Sequence, residues 1–420
     1  MIKRLLSIFQ TQTLRQSAIT VVSTFLSSGL GAVYYLVLAR QLGPAQYGLF
    51  SIVIATLGVV LPFADLGLGQ SLIRFVSANK TDRKYFPFVN LALKIKLVSG
   101  SIALVIFLSL SPFIARFIFH QPALANLLPW VGLAVSGQIL FFLILAIFQG
   151  TQRFELWGGF QVGVNLIRLL LVLPLLFLAK FSVAQALGVF ALSYFLGFGL
   201  SLLFTNRKFL GSAPTSSQVK LFWNFNKWTA AVGVLTAVAS RIDILLAARF
   251  LSLTQVGVYS LATIMVAFLP QLAAAIGAVT TAKFAGFNDP ESSKKYLGKA
   301  VLFVGGISML VAFAMIPAAG IVIWFAGKSA YAPAFGPFII LLLGLVIFLL
   351  TNPIRDSLMY YHAKPHFFFW LNLGQAITVF LVGWNLIPLW GVPGAAVSFV
   401  AGQIFVAGTS IWYYRKIAYA

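Results

Sequence analysis

The chain has 420 residues with a mean hydropathy of +0.98; 60% are hydrophobic and 9% charged. No soluble domain of this length could keep so apolar a surface dispersed, so lipid must be its solvent. The 29 Lys and Arg against 7 Asp and Glu give a net charge of +22, but these cations punctuate apolar runs instead of forming a basic domain, which argues against nucleic acid; there are no cysteines for disulfides or thiolate sites, and His120, His362 and His366 lack metal-ligand spacing.

The opening "MIKRLLSIFQTQTLRQ" leads into an apolar run at 17–39 that is longer than a signal-peptide core, so it is expected to be a retained first span. Runs long enough to cross ~30 Å of hydrocarbon as helix follow at 47–70, 87–110, 127–149, 157–179, 182–204, 228–250, 256–280, 299–325, 335–353, 367–387 and 391–413. The expected architecture is therefore all-α and polytopic, with about twelve transmembrane helices. Cations gather at one set of span ends (Lys3, Arg4, Arg15, Arg74, Lys80, Arg83, Lys84, Lys94, Lys96, Arg153). The opposite ends carry few (Arg40, Arg116, Lys180, Arg249, Lys328). This asymmetry predicts cytoplasmic termini.

The two halves resemble each other. "LARQLGPAQYGLFSI" at 38–52 aligns with "AARFLSLTQVGVYSL" at 247–261, pairing Arg40 with Arg249, Gln46 with Gln255 and Gly48 with Gly257 at a constant spacing of 209 residues. The same spacing carries Arg74 onto Lys283. Six spans per half is an even number, so the halves should be parallel repeats about an axis along the membrane normal, two six-helix bundles around a central cavity. The expected division is 1–204, a cytoplasmic linker at 205–227, and 228–420.

"LARQLGPAQYGLFSI" followed by "DLGLGQSLIRF" resembles the opening of Wzx-type oligosaccharide flippases, the polysaccharide transporters of the multidrug/oligosaccharidyl-lipid/polysaccharide exporter superfamily. "IFQGTQRFELWGGFQVGVNLIRLLLVLPL" and "LIPLWGVPGAAVSFVAGQI" are similar to later passages of that family. The resemblance implies transport of undecaprenyl-pyrophosphate-linked oligosaccharide from the inner to the outer leaflet of the bacterial plasma membrane by alternating access. The product would be O-antigen, capsule or exopolysaccharide. It implies no cofactor, and a polymerase and glycosyltransferases as partners beside the lipid-linked substrate and the bilayer.

A few charges fall inside the spans, where each needs a partner or a wet cavity. Asp65 is read either as a cavity-side relay at an inner gate, or as a structural group that pairs with a cation on the eighth span or caps a kink in a broken helix beside Gly67 and Gly69. Arg241 and Asp243, two apart in a continuous seventh helix, would point away from each other. Arg241 is read either as a cavity residue for phosphate oxygens, which its planar fork suits, or as a buried bridge to Asp65 or Asp243. Asp243 and Asn165 join Asp65 as candidate coupling or gate residues. Arg168, with Asn165 one turn earlier, is expected either to meet a carboxylate inside the bundle or to join the cavity. Arg40 with Arg249 at the outer lip and Arg74 with Lys283 at the inner lip would complete a ladder of cations for an anionic head group, although lip cations also serve as ordinary interface anchors. Arg355 and Asp356, with Arg153 and Glu155, read as loop salt bridges or gate contacts. No metal site is expected.

Three other functions compete. A drug/cation antiporter of the same superfamily should concentrate carboxylates in its cavity. A membrane glycosyltransferase or polymerase needs a sizeable outer loop with acidic or histidine chemistry, and the outer loops here are short and hold no Asp or Glu. A peptidoglycan-precursor flippase would carry two further helices.

Overall fold

A computed structural model describes residues 12–79, 84–177, 181–287 and 289–418. The predicted span-end cations Lys3, Arg4, Lys80, Arg83 and Lys180 lie outside them. The described residues form helices and turns without a strand. In chain order the helices are α1 Gln12–Asp65, α2 Leu68–Ala78, α3 Phe86–Phe113, α4 Pro129–Gly150, α5 Phe154–Leu175, α6 Val183–Leu202, α7 Ser216–Ala239, α8 Ile242–Phe250, α9 Leu253–Val266, α10 Phe268–Ala285, α11 Pro290–Tyr331, α12 Phe335–Asp356, α13 Pro365–Trp390 and α14 Val392–Ala418. Among them, nine helical stretches are long and apolar enough to cross a membrane, or ten if the bent pair α7 and α8 counts as one. The protein is a multi-pass membrane protein.

Two of these stretches, Arg15–Asp65 and Pro290–Tyr361, run 51 and 72 residues, far beyond the roughly 20 needed for one crossing. Each contains a glycine with positive φ, Gly43 at 69° and Gly327 at 120°. Glycine lacks the Cβ that forbids this backbone to other residues, so the chain changes direction there.

The chain resolves into two compact units. One is Met1–Tyr35 with Val53–Val234; the other is Leu36–Ile52 with Leu235–Ala420. The segment 36–52 thus clusters with the second unit, although it precedes most of the first in sequence.

In the first unit α4 is the central helix. Its sequence is apolar on every side, which leaves it no solvated face, and Ile139, Leu143, Ile144 and Phe148 are fully buried. Around it pack Leu72, Phe75 and Val76 of α2 and Phe88 and Val89 of α3. The outer side of α3 turns Val98, Ile102, Val105 and Leu108 outward, a spacing that marks a lipid-facing stripe.

The second unit packs α12 against α14, and α13 against α14 through a turn at Gly391, φ 64°. Within it lies the spatial counterpart of the sequence repeat. A Cβ on Gly48 would stand 2.0 Å from the carbonyl oxygen of Leu253, and one on Gly257 would stand 2.0 Å from that of Pro44. Pro44 and Leu253 are themselves 209 residues apart, so the contact is reciprocal. Lipid supplies no hydrophobic drive between helices, and close approach over small residues replaces it.

Candidate functional site

Two spans that the sequence suggests are continuous are broken in the structure, each beside a charge. The predicted helix 228–250 ends at Ala239 and restarts at Ile242, the two pieces meeting at 43°. Arg241 is therefore not inside a continuous helix. It is the exposed N-cap of α8, with φ −133°, and that helix start has no side-chain cap.

The break borders a cavity of about 600 Å³, wholly within the second unit. Arg241, Asp243, Arg355, Gln271, Gln375 and Gln403 supply its charged and amide groups, and Phe348 and Phe399 supply aromatic faces. Asp243 is 6% exposed, and the Tyr259 hydroxyl donates to it at 2.5 Å. Its charge is thus engaged by a hydroxyl and no guanidinium reaches ion-pair distance. Arg355 lies over the Phe348 ring at 4.7 Å, and its buried Nε has no hydrogen-bond partner. Gln403 is only 5% exposed and makes no hydrogen bond among the described residues, so its amide faces the cavity unpaired. Unsatisfied groups of this kind are costly at membrane depth unless water or a ligand completes them.

The other break, in the predicted helix 47–70, is sealed. Leu66 and Gly67 both have positive φ, at 52° and 69°. Asp65 accepts the Gly69 amide at 3.2 Å and forms an ion pair with Lys96. Lys96, expected at a loop end, is completely buried within α3. Asn226 of α7 donates to the Leu66 carbonyl at 2.5 Å and accepts from Ser71 at 2.7 Å, and Thr229 donates to the Gly67 carbonyl at 3.3 Å. Both Asp65 oxygens are taken, one by the kink and one by Lys96 of α3, which supplies the cation that the sequence placed on the eighth span.

Arg168 has no carboxylate partner among the described residues. Its guanidinium, 3% exposed, sits in a cage of Phe190, Tyr194 and Tyr34 at 4.2, 5.2 and 5.3 Å from the ring centres. It donates to Asn165 at 3.1 Å, and Asn165 in turn donates to Ser27 at 2.8 Å. These groups hold α1, α5 and α6 together.

The remaining predicted cations are more open. Arg74 is exposed, over the Phe225 ring at 4.3 Å, and with Lys84 borders a cavity of about 640 Å³ in the first unit whose walls include Phe75, Phe88 and Leu221. Arg40 donates to the Phe325 carbonyl at 3.3 Å, and Arg249 lies 5.5 Å from the Trp384 ring. Lys283 is exposed beside Tyr296 at 5.4 Å. Glu155 forms a salt bridge, with Arg15 at 2.5 Å, while Asp356 is held by Thr280 and by Asn352 at 3.3 Å and has no salt bridge among the described residues. Arg355 and the three glutamines were not anticipated as cavity residues. The usable signal was an amide or cation inside an otherwise apolar span.

The family model for "polysaccharide biosynthesis protein" matches residues 13–281. No curated protein matches the chain in sequence. Among solved structures, an inward-facing multidrug resistance MATE family transporter of the MOP superfamily superposes with a TM-score of 0.78 at 14% identity, over 96% of this chain and 98% of that one. A lipid II flippase, MurJ, in an inward closed conformation gives 0.74 at 15% identity, over 94% and 87%. A MOP superfamily transporter from Pyrococcus furiosus, described as having a binding pocket of reversed polarity, gives 0.66 at 14% identity, over 97% and 95%. At such identities the likeness is one of fold.

Proposed function

The chain belongs to the polysaccharide biosynthesis protein family, and from that premise we propose that it flips undecaprenyl-pyrophosphate-linked oligosaccharide from the inner to the outer leaflet of a bacterial plasma membrane by alternating access. It is a membrane transporter of the flippase type and not an enzyme. In this reading the two long kinked stretches each count as two crossings and the bent pair α7 and α8 as one, which gives twelve with both termini cytoplasmic. Arg74 and Lys283 meet the pyrophosphate on loading, Arg40 and Arg249 stand at the exit, and the second-unit cavity receives the oligosaccharide. Arg168, Asn165 and Asp65 then serve packing. A polymerase and glycosyltransferases of O-antigen, capsule or exopolysaccharide assembly act beside it.

The observation that carries the reading is the cavity itself. A transporter of polar, anionic cargo needs hydrogen-bonding groups and uncompensated cations in a unit that is otherwise apolar, and the second unit has both. The drug/cation antiporter reading needs free carboxylates instead. Asp65, Asp243 and Asp356 are each engaged by protein groups.

The test is polysaccharide export in a strain that depends on this chain, measured beside membrane abundance. Arg241→Ala is expected to insert at normal levels and lose export, with Arg241→Lys keeping part of it, because an ammonium retains charge but not the fork. Normal export from abundant Arg241→Ala protein would overturn the assignment of cargo to this cavity.

A further inference from the structure

We infer that the second-unit cavity is a subsite for a sugar residue that carries a carboxylate, so that the cargo is an acidic oligosaccharide. The inference rests on the flippase reading above and deepens it.

Charge is the first argument. The wall holds two guanidiniums, Arg241 and Arg355, and one carboxylate, Asp243. Among the described residues neither arginine has a carboxylate oxygen at ion-pair distance. Asp356, next to Arg355, is held by Thr280 and Asn352 outside the wall, so among the lining residues the cations outnumber the carboxylate. A carboxylate answers that imbalance and can grip Arg355, whereas a pyrophosphate, with at least two charges, would crowd Asp243. The uncapped start of α8 at Arg241 adds the positive end of a helix dipole on the same side. A hard cation would meet two guanidiniums and find one carboxylate already bonded to Tyr259.

Hydrogen bonding is the second. Gln271, Gln375 and Gln403 each present a donor and an acceptor, and Thr236, Thr263 and Asn372 stand beside them. Sugar hydroxyls also donate and accept at once, so amides match them where a purely cationic wall would not. Gln403 makes no hydrogen bond among the described residues although nearly all of its surface is covered, which leaves its amide available. Arg355 is equally unspent at Nε among the described residues, with its guanidinium held over the Phe348 ring. A guanidinium oriented in advance loses less freedom when it grips a carboxylate in bidentate fashion.

Shape is the third. The cavity's roughly 600 Å³ lies within the range of sites that enclose small molecules. Phe348 and Phe399 offer flat apolar surface to the C–H face of a pyranose ring.

The experiment uses the full chain in proteoliposomes with two fluorescent probes, each a short-chain prenyl-pyrophosphate disaccharide. One probe ends in glucuronate and the other in glucose, and membrane-impermeant dithionite reports which leaflet they occupy. The glucuronyl probe is expected to cross about tenfold faster, equivalent to roughly 1.4 kcal/mol. Arg355→Gln and Arg241→Gln should each bring the ratio of the two rates close to one. Equal rates in the unsubstituted protein would overturn the inference and leave the flippase reading standing. A preference that survives both substitutions would also overturn it. If neither probe crosses, the flippase reading falls and takes the inference with it.

Discussion

Each unit interrupts a membrane-grade helix beside a charged side chain, yet the two interruptions are finished in opposite ways. At Leu66–Gly67 of the first unit every freed group is met: Asp65 by Lys96 and the Gly69 amide, and the Leu66 and Gly67 carbonyls by Asn226 and Thr229. At Ser240–Arg241 of the second unit the chain opens onto a cavity in which Arg241, Arg355 and Gln403 lack such partners. A broken helix in lipid exposes backbone and side-chain polarity that something must complete. The first unit completes it with protein and gains a rigid joint. The second leaves it incomplete and gains a place for cargo.

The comparison is most easily broken at Gly67. A Cβ there would lie 2.5 Å from the Ala230 amide nitrogen, on a backbone with φ 69°. Gly67→Val should therefore destabilise the first unit by at least about 3 kcal/mol, from strain and overpacking together, and fluorescence-detected size exclusion should show little folded protein. Removing one partner of the sealed pair comes next. Asp65→Asn leaves Lys96 buried with its charge unmatched, at a cost of about 3–5 kcal/mol. The double substitution Asp65→Asn with Lys96→Met should recover much of the lost melting temperature, and failure to recover would mean that the pair does more than balance charge.

Arg168→Lys tests the aromatic cage. A lysine keeps charge but cannot stack its plane on Phe190 or reach Asn165 in the same way, and a loss of about 2 kcal/mol is expected. The smallest effect belongs to the open break. Arg241 is exposed and unpaired among the described residues, so Arg241→Ala should shift stability by only about 0.5 kcal/mol. A melting shift as large as that of Asp65→Asn would erase the distinction between the two breaks.

Much of this was legible in the chain. Hydropathy fixed the membrane class and the helical architecture, because a bilayer accepts only backbones that satisfy themselves. The spacing of 209 residues pairs Gly48 with Gly257, but it did not specify the close approach seen at both, where an added Cβ would collide with the Leu253 and Pro44 carbonyls. Asp65 and Arg241 stood out as isolated charges in apolar runs. Lys96 was misplaced, because a lysine near a predicted span end looks like an anchor until the helix that covers it is known.

The sequence by itself determined the solvent, the helices, the scarcity of acids and the positions where polarity interrupts hydrocarbon, since each is a property of composition over a window of about twenty residues. Tertiary structure decided where the helices break, which turns on the backbone angles of one or two residues, such as Leu66 and Gly67, that hydropathy does not register. It also decided which way each polar group faces. Lys96 finds Asp65 31 residues away, and Arg355 and Gln403 reach the same cavity as Arg241 from α12 and α14. Depth in a membrane can be read along one helix; a partner depends on rotation about that helix and on its neighbours, and those are set only when the helices pack.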